Sequence, residues 1–282
     1  MALGSNHVTN STAATFIPEL WSDEIVAAYK NSLVMANVVN KMPMKGKKGD
    51  TIHIPKPGRN DASAKTANSD VTAITDTATE ILVTIDQHYE WSMYIEDIAE
   101  LQALNSMRRF YTDDAGYALA RNVDSALITA MDGASALTDG NAVITSVTDW
   151  DASILQAIEN LNDNDVPVND RALIVTPSCM TALMSTDRFT EQQFIGDGSA
   201  IRTGNIGQIY GLPVFMSTQV GTGATEKAFL FQKDSTVLAT QQSVRTQTQY
   251  KQEKLADLLT ADTVYGTKVV RPESIQELTS AA

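Results

Sequence analysis

One stretch constrains the fold of this chain more than any other: Asp97 to Asp132, where apolar residues recur at helical spacing. Ile98, Leu101, Leu104, Phe110, Tyr111, Ala115, Ala118, Leu119, Asn122, Ala126, Leu127 and Ala130 fall near one broad face. Arg108, Arg109, Asp113, Asp114, Arg121 and Asp124 fall mostly elsewhere. Asn105-Ser106 is a capping pair. The spacing therefore predicts a short helix ending near Leu104 and a long one from Ser106 to Asp132, stopped by Gly133. At about 1.5 Å per residue the long helix spans roughly 40 Å, more than the width of a small domain. It serves as a spine, and other elements must be laid along it.

Upstream, residues 1–15 are small and polar and read as a mobile arm. Phe16-Ile17-Pro18-Glu19-Leu20-Trp21 then groups large apolar side chains around a proline. Ser22 caps an expected helix from Asp23 to about Asn40, with Asp23 and Glu24 in its first turn. After Lys45-Gly46-Lys47-Lys48-Gly49-Asp50, the alternation in Thr51–Pro55 and in Glu80–Asp86 predicts two strands. Lys56 to Thr79 between them offers Ala, Thr, Ser, Asn and Asp and little to bury. A connection this long without structure is uncommon in a compact domain, and an isolated two-stranded hairpin is barely stable in water. The expectation is an extended arm that orders only against another chain.

Downstream, a second lobe follows. A capping box of Thr148 and Asp151 starts a helix with Ile154, Leu155, Ile158 and Leu161 on its apolar side. Arg171–Thr176 reads as a buried strand, and Pro177 opens a helix to Ser185. A Gly-rich loop (Gly196, Gly198, Gly204, Gly207, Gly211) leads to a strand at Leu212–Met216. Further strands are expected at Ala228–Gln232, Thr236–Thr240 and Val244–Tyr250. Leu255, Leu258, Leu259 and Val264 suit one more helix, closed by Gly266, before a last strand at Thr267–Arg271. The spine should carry the hairpin base and C-terminal strands on one face, with Phe110, Leu119 and Leu127 inside. Gly116 sits mid-helix, where it costs roughly 0.5–1 kcal/mol relative to alanine. It marks close packing of a second backbone, a place to bend, or an incidental glycine.

Charge and composition narrow the function. At 282 residues the chain can build two lobes, and its net charge of −13 argues against holding nucleic acid by counterion release. Cys179 is the sole cysteine, which rules out an intrachain disulfide. No secretory pattern opens the sequence and no apolar run reaches membrane-spanning length, so the expected setting is the cytoplasm, with no membrane partner. Lys45, Lys47, Lys48, Lys56 and Arg59 gather at the arm's base and are expected to meet acidic surface on a neighbour.

No catalytic, cofactor or metal constellation emerges. Cys179 lacks an evident histidine partner and reads as a buried, inert thiol. His7, His53 and His88 lack metal-ligand spacing. Asp163-Asn164-Asp165 opens like a calcium loop, but Pro167 stands where a ligand belongs. Gly196-Asp197-Gly198-Ser199 lacks a phosphate loop's ending, and Gly204–Gly207 follows no strand. Glu19, Glu96, Asp97 and Glu100 read as partners of helix dipoles.

In its order of elements the chain resembles the major capsid proteins of tailed double-stranded-DNA bacteriophages, with the Hong-Kong-97-type shell fold. The residues most similar to that family are Phe16–Trp21, Ala172–Pro177, Gly211-Leu212-Pro213-Val214 and Tyr265–Pro272. The resemblance implies an α+β fold in five parts. These are an N-terminal arm and first helix (1–45), an extended two-stranded loop (46–88) and a peripheral domain with the spine helix (89–147). An axial α/β domain (148–252) and a return helix and strand (253–282) follow.

It also implies a shell subunit forming hexamers and pentamers around packaged DNA, without sequence recognition. A portal protein and a decoration or cement protein are further implied partners. Since the sequence opens on the arm, a separate scaffolding protein is expected. Phe16, Trp21, Lys47, Lys48, Lys56, Arg59 and Lys65 are the candidate contacts between subunits, and Gly116 is the candidate hinge. Lys56 and Lys65 are placed like a crosslinking lysine, but the other members of that chemistry find no match. An encapsulin-type compartment shell and an uncharacterised α+β enzyme are the alternatives.

Overall fold

A computed structural model describes residues 33–44, 49–58, 60, 62–71, 73, 75, 78–98, 107–134, 149–185, 207–221 and 227–279. Within them the chain runs α1 (Met35–Val38), β1 (Asn40–Pro43), β2 (Thr51–Lys56), β3 (Thr79–Thr84), β4 (Gln87–Glu96) and the spine helix α2 (Met107–Ala134). It continues through α3 (Asp149–Asp163), β5 (Arg171–Val175), α4 (Pro177–Met184), β6 (Gln208–Ile209), β7 (Leu212–Met216) and β8 (Lys227–Gln232). The long strands β9 (Thr236–Lys251) and β10 (Ala256–Val269) precede β11 (Ile275–Thr279). Three sheets result, ordered β1-β9-β10-β4, β11-β8-β5-β7-β6, and β2-β3.

The four-stranded sheet is a layer between the spine helix and the hairpin base. On one face Ala115 and Leu119 of the helix pack on Ala261 and Trp91. On the same side Leu127, Ile128 and Met131 meet Leu238 and Tyr265. Side chains alternate along a strand, so Val264 points the other way and packs with Ala239, Val83 and Ile85. There β3 comes so close to β10 that a Cβ on Gly266 would lie 2.1 Å from the Thr84 main-chain oxygen.

The five-stranded sheet is likewise covered on both faces, which explains why β5 is buried at every position. Leu173, Val175, Ala228 and Leu230 face α3 and α4 through Trp150, Ile154, Leu161, Cys179 and Leu183. Ala172, Ile174, Phe229 and Phe231 face the end of the spine helix and α1. The spine therefore reaches both sheets. Thr176 caps α4, accepting from the Cys179 backbone N–H at 3.4 Å, with Pro177 at the first helical position as expected.

Several expectations give way. The return helix expected over 255–266 is a strand: β10 pairs with β9 on one side and β4 on the other, and Thr260, Thr263 and Val264 suit a doubly paired strand. Leu255, counted toward that helix, instead sits 66% exposed in the β9–β10 turn with φ +48. The two strands expected at 236–240 and 244–250 are one, β9, with a bulge where a break was read. That strand lies before residue 252 yet pairs with β10 beyond it, so the expected boundary does not separate the sheets. After Pro272 the chain adds β11 to the five-stranded sheet, beside β8.

The first helix, expected to reach Asn40, ends at Val38 because Asn40 begins a strand parallel to β9. Phe110, expected inside, is 39% exposed. Of the short helix before the spine, residues 99–106 lie outside the described set, as does Thr148 of the expected capping box.

Candidate assembly surface

The arm is the part of this chain built unlike a self-contained domain. Its strands pair in register from Thr51↔Thr84 to Lys56↔Thr79, so the hairpin itself is short. The base is fixed: Ile85 N–H donates to the Asp50 carbonyl at 2.7 Å, the Gln241 side-chain amide donates to the Gly49 carbonyl at 3.0 Å, and Val83 and Ile85 are buried. His53 Nδ1 lies 3.0 Å from Glu80 across the pair. Beyond Lys56 the described residues carry no strand and Val71 is 80% exposed. No described residue of that stretch buries an apolar side chain to offset roughly 1–2 kcal/mol of backbone ordering per residue.

Lys56 meets an acid within its own chain. Its ammonium donates to Glu273 of the same chain at 3.4 Å, bridging the hairpin to the short turn of helix before β11. A cavity of about 380 Å³ lies beside the pair, lined among others by Ile54, Ile81, Val166, Pro167 and Arg271. Lys65 is exposed. Phe16, Trp21, Lys45, Lys47, Lys48 and Arg59 lie outside the described residues. Among the described residues nothing lies within 4 Å of a Cβ built on Gly116, so no described backbone packs there.

One anchor went unread in the sequence. Asp124 was assigned off the apolar face, yet it is 1% exposed. Its carboxylate accepts from the backbone N–H groups of Val34 (2.8 Å), Met35 (3.3 Å) and Ala36 (3.1 Å), capping α1 from a distance. Burial pushes this carboxyl above the usual aspartate value, while the backbone donors pull the other way. The residue before the first helix is thereby tied to the middle of the spine.

Two further charge clusters join elements. Asp262 receives both Nε (3.0 Å) and Nη2 (2.9 Å) of Arg245 and the Gln242 amide (2.7 Å), with His88 Nε2 at 3.5 Å. The Arg245 bonds hold its carboxyl below the usual range. Lys227 bridges Asp132, at the end of the spine, and Glu277 of β11 (2.7 Å). Burial pushes the Lys227 ammonium down, but the two carboxylates outweigh it and hold its pKa above the ordinary lysine value.

Among the described residues no group of three or more His, Cys, Asp or Glu side chains could hold a metal. No described helix is long and apolar enough to cross a membrane. Cys179 is fully buried. Asp165 and Asp170 adopt positive φ in the turns before β5, where the calcium-like pattern was read.

A sequence model of the family described as phage capsid protein matches residues 30–280. The chain belongs to that family. The capsid protein is similar to a solved structure described as Mycobacterium phage Che8, with 26% identity over 93% of this chain and 97% of the other and a TM-score of 0.85. It is also similar to the capsid of Cyanophage P-SCSP1u, at 17% identity, 99% and 97% coverage and a TM-score of 0.82. A third is the mature capsid of bacteriophage PhiM1, at 12% identity, 94% and 92% coverage and a TM-score of 0.76. The last two attest the fold alone, which is the Hong-Kong-97-type capsid fold expected from the resemblance. No curated protein sequence matches the chain. It is a structural subunit of a phage shell and so a component of the virion, and the comparisons give no support to an encapsulin compartment or an enzyme.

Proposed function

We propose that this capsid protein assembles as hexamers and pentamers into an icosahedral head around packaged double-stranded DNA, in the cytoplasm of a host bacterium. The observation that carries the reading is the arm, whose base is built into the subunit and whose described distal residues are exposed. A net charge of −13 makes subunits repel and keeps the inner surface from gripping DNA tightly. A separate scaffolding protein then brings subunits together, a portal supplies the DNA entrance, and a decoration or cement protein is a further partner.

In this reading the four-stranded sheet and spine helix form the peripheral domain, and the five-stranded sheet with α3 and α4 forms the axial domain. Phe16, Trp21, Lys47, Lys48, Arg59 and Lys65 contact neighbouring subunits, joined by Lys56 once the arm is seated. Gly116 is where the spine bends as the shell expands. Hydrogen exchange on the isolated subunit and on the assembled particle tests the reading. Residues 57–78 should gain strong protection only on assembly, and equal protection in both states would contradict it.

A further inference from the structure

The two longest described strands, β9 and β10, fall out of step at one place. Asp262 pairs with Arg245, yet Val264 pairs with Gln242 and Tyr265 with Thr240, so β9 carries two extra residues across this short span. Such bulges bend a strand, raise its twist and interrupt its ladder. On the other side of β10 the pairing with β4 runs through unbroken, from Gln87↔Tyr265 to Glu96↔Ala256. The packing changes at the same level. Ala261, on one side of the break, rests on Ala115, Leu119 and Trp91, whereas Tyr265 and Leu238, on the other, rest on Leu127, Ile128 and Met131. The hairpin base also reaches the sheet here: the Gln241 amide donates to the Gly49 carbonyl, and Val264 packs with Ile85.

Side chains splint the break from both sides. The Asp262 carboxylate accepts from the Gln242 amide at 2.7 Å on one side of it, and from Arg245 Nε and Nη2 at 3.0 and 2.9 Å on the other. The buried Thr263 hydroxyl donates to the Gln242 carbonyl at 3.0 Å. A corner made rigid by packing would bury the apolar residue at the bulge, but Val244 is 44% exposed. Side-chain bonds beside water, with Arg245 half exposed, open at less cost than the packed layers on either side. We propose that the break is the joint at which the four-stranded sheet bends, with Asp262 as its clamp. β10 and β4 flex as a continuous ribbon, and the two spare residues of β9 take up the change in length. The proposal rests on the shell reading above: subunits in five-fold and six-fold clusters meet their neighbours at different angles, and this joint absorbs the difference.

Hydrogen exchange on the full-length subunit tests the clamp. In Asp262→Ala, amides of residues 241–246 and 262–264 should exchange about tenfold faster, while residues 236–239 and 256–260 keep their wild-type rates. Thr263→Val removes the milder bond and should speed the same residues by about threefold, which keeps the test open if the alanine variant does not fold. Unchanged rates at the joint, or a loss spread evenly along both strands, overturn the proposal. Electron cryomicroscopy of wild-type particles then tests the bend. The angle between residues 236–240 and residues 245–251 should differ between five-fold and six-fold copies, with the change confined to residues 241–244 and 263. Copies that superimpose across the joint, or that differ elsewhere instead, overturn it. A chain that forms no particles overturns the shell reading and this role within it, whereas the exchange rates still decide the joint.

Discussion

The main-chain oxygen of Thr84 occupies the space that a side chain on Gly266 would need: a Cβ built there stands 2.1 Å from it, far inside contact distance. The end of β3 can rest on β10 only because that residue is glycine. The close approach sits where Val83, Ile85, Ala239 and Val264 join the hairpin to the sheet.

Gly266→Ala should therefore push the hairpin base off the sheet, destabilising the subunit by about 1–3 kcal/mol, the usual cost of overpacking. Chemical denaturation measures the loss. Exchange protection should fall first at residues 51–56 and 79–85, where the two layers separate.

Asp124→Ala leaves the N–H groups of Val34, Met35 and Ala36 without their acceptor, at a cost of roughly 2–4 kcal/mol. Asp124→Asn keeps one acceptor oxygen and should lose less. Exchange at residues 34–39 should rise in both variants. The order of stability expected is wild type, then Asn, then Ala; an alanine variant as stable as wild type would remove the anchor.

The two buried carboxylates titrate with opposite sign. Asp124 has a raised folded-state value, so its contribution to stability falls as pH rises from the unfolded value of about 3.9 through the folded one, and is level above it. Asp262 has a lowered value, so its contribution is complete above about 3.9 and is lost as pH falls through its folded value. Asp262→Asn should flatten the acid side of a plot of melting temperature against pH, and Asp124→Asn should steepen it. Arg245 is half exposed, so Arg245→Ala should cost no more than about 1 kcal/mol near neutral pH.

Much of this was legible in the chain. The spine announced itself because its buried face repeats at 3.6 residues, and β5 because the apolar run Ala172–Val175, shortly before Pro177, suits a strand covered on both faces. What escaped notice depends on distant partners. Leu255, Leu258 and Leu259 keep helical spacing, and only pairing with β4 and β9 makes the segment a strand. Asp124 looks like a solvated charge on a helix until α1 is brought against it from 90 residues earlier in the chain. Gly266 carried a signal that was misread: a glycine amid strand-forming residues marks a close backbone approach as readily as a helix end.

Lys227 ties the end of the spine to β11 through Asp132 and Glu277. Lys227→Met keeps the length of the side chain and removes its charge, leaving Glu277, largely buried, without that cation. A loss of about 1–2 kcal/mol is expected, visible as a lower denaturant midpoint with an unchanged slope.

Gly116→Ala should stabilise the isolated subunit by about 0.4–1 kcal/mol, because the helix gains propensity and no described residue lies within 4 Å of the new Cβ. If the glycine is a hinge, the same variant assembles but stalls before its particles expand. Particles that expand at the wild-type rate would leave the glycine no mechanical role.

Electron microscopy of particles purified from cells making this protein with its scaffold and portal bears on the whole reading at once. The expected images show closed icosahedral shells with six-fold and five-fold clusters of subunits and dense nucleic acid inside. Shells filled with protein and free of nucleic acid, or a chain that stays monomeric under these conditions, would contradict it.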